Sequence, residues 1–225
     1  MVHSILHIPC KAESTRCPGK NMALINGRPS VCWVIEAAIA SNKFDSIAIS
    51  TDSQDVRDTV SVYPVQIAPQ SPSTVVQTTH DILGGIYTDR ITIILATAAL
   101  IQPSDIIGAL RLSTVEQDPV MIVTELPYRV SEIVKFKDGE VLQRPFQYYD
   151  GADDKPGFYI DAGALYTFPP NQFAGLSTVY VNNLRPYVVP RYRGVDVDYP
   201  EDLHLVRRLA SSLRVGLAGC RRVLP

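Results

Sequence analysis

The chain has 225 residues, 46% hydrophobic and 20% charged, with a formal net charge of -2. That length suits one sizeable α/β domain, and the near-neutral balance excludes the basic surface of a non-specific nucleic-acid binder. No apolar run is long enough to cross a bilayer, and Met1-Val2-His3-Ser4 lacks the charged head and apolar core of a secretory signal, so a cytoplasmic protein without a membrane partner is expected.

Apolar runs alternate with amphipathic stretches along the chain. Ile5–Ile8 reads as a first strand, followed by a loop and then by a helix over Pro29–Ser41, where Val31, Val34, Ile35, Ala38 and Ile39 recur at helical spacing. Trp33 reads as part of that helix's core face. Ser46–Ser50 is a second strand, Asp55–Val60 a short helix and Val62–Ile67 a third strand. A helix over Thr74–Ile86 runs into Gly84-Gly85 and carries His80, read as structural. Thr92–Leu95 is a buried strand, Pro103–Ser113 a helix and Val120–Val123 a further strand. This repeated strand–helix alternation implies right-handed crossovers and a mainly parallel sheet.

Beyond Val123 the style changes. Ile133–Phe136 and Val141–Gln143 flank the Asp138-Gly139 pair of a hairpin. Phe158–Phe168 reads as a strand interrupted at Gly163, and Tyr187–Val189 and Val195–Asp198 as short extended pieces. A helix over Pro200–Leu213 has Pro200 in its first turn and Glu201-Asp202 at its positive end. The division is one domain over 1–213, with an extension at about 130–185, and a C-terminal tail at 214–225. The aromatic pairs Tyr148-Tyr149 and Phe158-Tyr159 of the extension serve either a dimer contact or a local core.

Two constellations carry chemistry. The loop after the first strand holds Lys11, Arg16 and Lys20 with Ser14, Thr15 and Gly19, at the strand end where open α/β sheets bind ligands. Cations and short donors suit a polyphosphate, although the Walker A spacing is absent. Far downstream, alternation in Val195-Asp196-Val197-Asp198 places both carboxylates on one strand face, about 6.6 Å apart. Such a pair suits Mg²⁺, which takes one or two carboxylates together with substrate phosphates and water. Cys10, Cys17, Cys32 and Cys220 show no CxxC pair and no zinc-like spacing, and read as reduced thiols filling tight packing.

From Ile5 to Leu205 the chain resembles the CMP-sugar synthetases, most closely the pseudaminic acid cytidylyltransferases. The resemblance is carried by Ile8, Pro9, Ser14, Arg16, Pro18, Lys20 and Asn21, by Gly27-Arg28-Pro29, and by Ser50-Thr51-Asp52. It continues through Ala96–Asp105, Val123–Pro127, Asp161-Ala162-Gly163, Pro190–Arg193, and Asp196-Val197-Asp198 with Glu201-Asp202. It implies a Rossmann-like nucleotide-diphospho-sugar transferase fold with a mainly parallel mixed sheet and a small hairpin extension. The implied reaction transfers CMP from CTP to the anomeric hydroxyl of a nonulosonic acid, with Mg²⁺ as cofactor, in a homodimer. The implied nucleotide contacts are Lys11, Ser14, Arg16, Lys20, Asn21 and Thr97, and the implied sugar contacts Gln102, Asp161, Arg191 and Arg193. Lys20, Arg16 and Asp196 would be catalytic, and Asp196 and Asp198 the metal ligands.

The chain departs from the pattern in places. Lys11 stands for an arginine and so lacks its planar fork. Ala12-Glu13 stands for two glycines, Ala68 precedes the proline where an arginine is common, and Ala96 and Ala99 replace prolines. Two alternatives stay open: the same chemistry on sialic, legionaminic or the eight-carbon keto acid, and a non-catalytic relative of the same fold.

Overall fold

The computed structural model describes residues 3–71, 74–126, 135–137, 140–143 and 158–212. The Asp138-Gly139 turn, Tyr148-Tyr149, Cys220 and the tail at 214–225 lie outside the described residues. In chain order the elements are β1 (Ser4–Pro9), β2 (Leu24–Ile25), β3 (Arg28–Pro29), α1 (Ser30–Ser41), β4 (Ser46–Thr51), α2 (Gln54–Val60), β5 (Gln66–Pro69) and α3 (Val75–Leu83). They continue with β6 (Arg90–Ile94), α4 (Pro103–Glu116), β7 (Val120–Glu125), β8 (Lys135–Lys137), β9 (Glu140–Gln143), β10 (Tyr159–Phe168), α5 (Pro170–Phe173), β11 (Arg185–Val189) and α6 (Pro200–Ser212).

Seven strands form one sheet in the order β11-β7-β10-β6-β1-β4-β5. β10 runs antiparallel to β6 and β7, and the other pairings, β1 with β4 and β6, β4 with β5 and β11 with β7, are parallel. The expected mainly parallel sheet is therefore present, with one reversed strand inserted. All six residues of β1 are buried, as a central strand covered on both faces requires. Leu6 and Ile8 pack with Val34, Ile35, Ile106 and Leu165 on one face, while Ile5 joins Val76, Ile93, Phe168 and Phe173 on the other. A smaller cluster of Cys17, Leu100, Val197, Val206 and Ala210 fastens α6 to two loops at the end of the sheet.

Local chemistry sets the boundaries. Ser53 Oγ accepts the Val56 N–H and starts α2, and Thr74 Oγ1 accepts the Gln77 N–H and starts α3. α3 ends at Leu83, three residues before the expected limit at Ile86, with Gly84 capping it in the left-handed region. The expected strand Val62–Ile67 is displaced to Gln66–Pro69, because Tyr63 N–H turns back to the Val60 carbonyl and Pro64 has no N–H to give a ladder. The β2–β3 ribbon was not anticipated. Its two-residue turn, Asn26-Gly27, has φ of 49° and 79°, and the Asn-Gly pair was the signal for it. The expected hairpin is present as β8–β9, with Phe136 opposite Val141. Val195–Asp198 does not join a strand ladder, so the expected strand there is corrected below.

Candidate active site

The carboxyl ends of β1, β4, β6 and β7 share one edge of the sheet, and the reversed β10 begins at that edge, with Asp161 opposite Val123. The basic loop leaves β1 there and is tied down along its length. Cys10 N–H donates to the Ser50 carbonyl at 2.8 Å, Ala12 N–H to Asp52 Oδ1 at 2.7 Å, and Asn21 Nδ2 to the Lys11 carbonyl at 2.9 Å. Ser14 Oγ accepts the Cys17 N–H at 3.4 Å, and the buried Cys17 side chain anchors the loop in the small apolar cluster. Gly19, at φ 70°, turns the chain into a single 3-10 turn at Lys20–Met22. Lys11 is half-buried, whereas Glu13 is exposed and so spares the loop's interior its negative charge. Burial pushes the Cys10 thiol up to about 12, leaving it an inert packing group.

Arg16 and Lys20 meet the distant acids. Arg16 Nη1 lies 2.7 Å from Asp198 Oδ2, and Lys20 Nζ lies 3.2 Å from Asp198 Oδ1 and donates to the Val197 carbonyl. Segment 195–198 is held by other means than a strand ladder. Val197 is buried between the two acids, and Asp202 Oδ2 accepts the Asp198 and Tyr199 N–H groups at 3.0 and 2.8 Å. Asp202 thereby caps α6 and fixes Asp198 with one carboxylate.

Asp196 is half-buried. Burial first, then the Asp198 charge, push its carboxyl above the ordinary range, and Lys20 opposes them. It lies over Gly163, where an added Cβ would come within 2.2 Å of Asp196 Cγ. Gly163 is the predicted interruption of β10, a bulge at φ +55°. Asp161 braces that bulge: Oδ1 accepts the Gly163 N–H at 2.9 Å, and Oδ2 accepts the Tyr166 and Tyr180 hydroxyls. Burial, followed by the Asp161 charge, raises the Tyr166 phenol; for Tyr180 the hydrogen bond to Asp161 comes first. Sequence reasoning missed both tyrosines. Tyr166 lies five residues after Asp161, which regular alternation would put on the opposite face of β10, and only the bulge brings them together; Tyr180 reaches Asp161 from a loop that carries no local signal.

The remaining expected contacts form a second group. Thr97 is buried on the loop after β6, and Gln102 precedes α4, with its side chain on the Leu100 carbonyl and its N–H on Asp105 Oδ2. Arg193 Nη2 lies 3.1 Å from Asp105 Oδ1. Burial pushes the Asp105 carboxyl up, and the Gln102 N–H and Arg193 counter it. Arg191 and Arg193 lie in a turn, where Arg193 N–H and Gly194 N–H donate to the Pro190 and Arg191 carbonyls. Arg191 is exposed, while Arg193 serves the buried Asp105. His80 packs at 4.5 Å on Phe173, in keeping with a structural role.

Among the described residues no group of three or more His, Cys, Asp or Glu side chains could hold a metal alone. The donor chemistry of Asp196 and Asp198 fits Mg²⁺ all the same, since that ion keeps several waters and shares substrate phosphates. A half-buried acid pushed up by burial and by a neighbouring acid is short of positive charge. No helix of the described residues is long and apolar enough to cross a membrane.

The chain is similar to known proteins in sequence and in fold. The chain is 24% identical over 218 residues to the CMP-N,N'-diacetyllegionaminic acid synthase of Legionella pneumophila, covering 90% of this chain and 94% of that protein. It is 25% identical over 219 residues to the pseudaminic acid cytidylyltransferase of Campylobacter jejuni, at the same coverage. The fold superposes on a CMP:2-keto-3-deoxy-manno-octonic acid synthetase, solved in complex with CTP, with a TM-score of 0.73 at 18% identity, over 93% of this chain and 98% of that one. A family model described as cytidylyltransferase matches residues 5–187, and the chain belongs to that family.

Proposed function

We propose that this chain transfers CMP from CTP to the anomeric hydroxyl of a nonulosonic acid, pseudaminic acid foremost, and releases pyrophosphate with Mg²⁺ as cofactor. The observation that carries the reading is the convergence of Arg16 and Lys20 on Asp198, two residues from Asp196. The sugar hydroxyl gives up its proton to solvent as its oxygen attacks the α-phosphorus, the bond from that phosphorus to the bridging oxygen breaks, and pyrophosphate leaves with the electron pair. Arg16 and Lys20 face the charge on the leaving group, which is the main demand of phosphoryl transfer. Asp196 and Asp198 would hold Mg²⁺, which neutralises phosphate charge and lowers the pKa of the attacking hydroxyl. Asp161 fixes the bulge beneath Asp196, and Arg191, exposed nearby in sequence to those acids, is offered to the sugar carboxylate. A homodimer belongs to the same reading, supported by the half-exposed apolar run Phe158-Tyr159-Ile160. So does a cytoplasmic location.

The test is pyrophosphate release from CTP and Mg²⁺ with pseudaminic, legionaminic, sialic and eight-carbon keto acids in parallel. Release with a nine-carbon acid is expected, abolished by a chelator, and lower by about 10²-fold or more in Lys20→Ala and Asp196→Ala. Undiminished turnover in either variant overturns the assignment.

A further inference from the structure

The two cations assigned to the triphosphate share a single carboxylate. Asp198 offers one oxygen to each, Oδ2 to Arg16 and Oδ1 to Lys20. Two oxygens on one carbon, gripped by a guanidinium and an ammonium, reproduce the way two non-bridging oxygens of one phosphate would be gripped. We infer that Asp198 is an internal competitor of the triphosphate, which yields the two cations readily only when a divalent cation takes over its charge. The inference rests on the proposed role of Arg16 and Lys20 as polyphosphate ligands.

Consider what a polyphosphate must do to reach them. It displaces a carboxylate whose side chain has no other hydrogen bond among the described residues. The displaced Asp198 cannot swing far, because its backbone N–H is held by Asp202 and the preceding Val197 is buried. It stays two residues from Asp196, itself half-buried. Binding of the bare polyanion therefore strips Asp198 of its cations, two residues from Asp196, and adds a third negative group next to them. A divalent cation arriving with the polyphosphate removes that conflict, since the freed carboxylates become its ligands. The site thus discriminates between bare and metal-complexed triphosphate through a residue that repels the wrong form, not only through ligands that attract the right one.

A residue that merely pinned the loop would behave in the opposite way. Its loss would loosen Arg16 and Lys20 and weaken polyphosphate binding. The two roles therefore differ in sign. Calorimetric titration with inorganic tripolyphosphate and with CTP, both in a chelator, should show about tenfold tighter binding to Asp198→Ala than to the parent chain. Asp198→Asn, which keeps the shape and loses the charge, should gain in the same direction, and added Mg²⁺ should shrink the difference. Adding Arg16→Ala to Asp198→Ala should remove part of the gain. Equal or weaker binding to both single variants in the chelator overturns the inference. If the parent chain releases pyrophosphate but the variants gain nothing, the competitor role falls and the catalytic reading stands. If the variants gain for tripolyphosphate but the parent shows no CMP transfer, the catalytic reading falls and the competitor role stands.

Discussion

A methyl group at position 163 would meet Asp196 Cγ at 2.2 Å, and the backbone there has φ of +55°. Gly163→Ala therefore has two costs at once, strain in a region L-residues avoid and eviction of the acid above it. We expect a loss of about 1–3 kcal/mol in stability and a fall in turnover of about 10²-fold, checked by denaturant unfolding and by pyrophosphate release on the same preparation. Unchanged turnover would show that Asp196 can work from another position. At this scale the sequence disclosed the groups with a strong local signature. Lys20 and Arg16 stood out as cations crowded into one loop, and Asp196 and Asp198 as acids two residues apart. Their mutual pairing was not legible, because the residues lie more than 170 positions apart and only the folded sheet edge joins them. The contact of Tyr180 with Asp161, 19 residues away, and the pairing of Arg193 with the buried Asp105 were not legible either, because a loop and the fold make them.

Elements were read most accurately where periodicity was sustained over a full run, as in α1, and least where a turn decided the boundary, as at β5. The contact between α4 and β11 depends on a detail no periodicity reveals. A Cβ at Gly108 would lie 2.1 Å from the Tyr187 hydroxyl oxygen, so the helix approaches the strand through a glycine. Although alanine favours helix by about 1 kcal/mol over glycine, Gly108→Ala should destabilise by about 1–3 kcal/mol through overpacking. Adding Tyr187→Val should restore most of the loss. A thermal unfolding series over the single and double variants checks this, and additive losses would refute the contact. The β2–β3 ribbon, by contrast, had a local signal in Asn26-Gly27 that reading for periodicity alone passes over.

For the molecule as a whole, His7 sets a pH limit. It lies in the centre of β1, fully buried, with Nδ1 at 2.7 Å from Thr79 Oγ1 and Nε2 at 2.8 Å from Ser50 Oγ. Burial lowers its pKa from 6.5 to about 4. The unfolded chain then binds the extra proton between pH 6.5 and 4, so stability is intact above pH 6.5 and falls as the pH drops through that window. The lowering corresponds to about 3 kcal/mol across the window. His7→Asn should lack this part of the decline. Urea unfolding at pH 7, 6, 5 and 4.5 compares the two, and parallel curves would refute it.

The reversal of β10 has a consequence for how the chain can vary. β7 ends and β10 begins side by side, Glu125 opposite Tyr159, with the Leu126 N–H donating to the Phe158 carbonyl at 2.8 Å. The chain therefore leaves the sheet after Leu126 and rejoins it at Phe158 through one doorway a single strand pair wide, on the same rim as the acids. With both ends at one strand pair, a change in the length of the chain between them leaves the threading of the seven strands as it is.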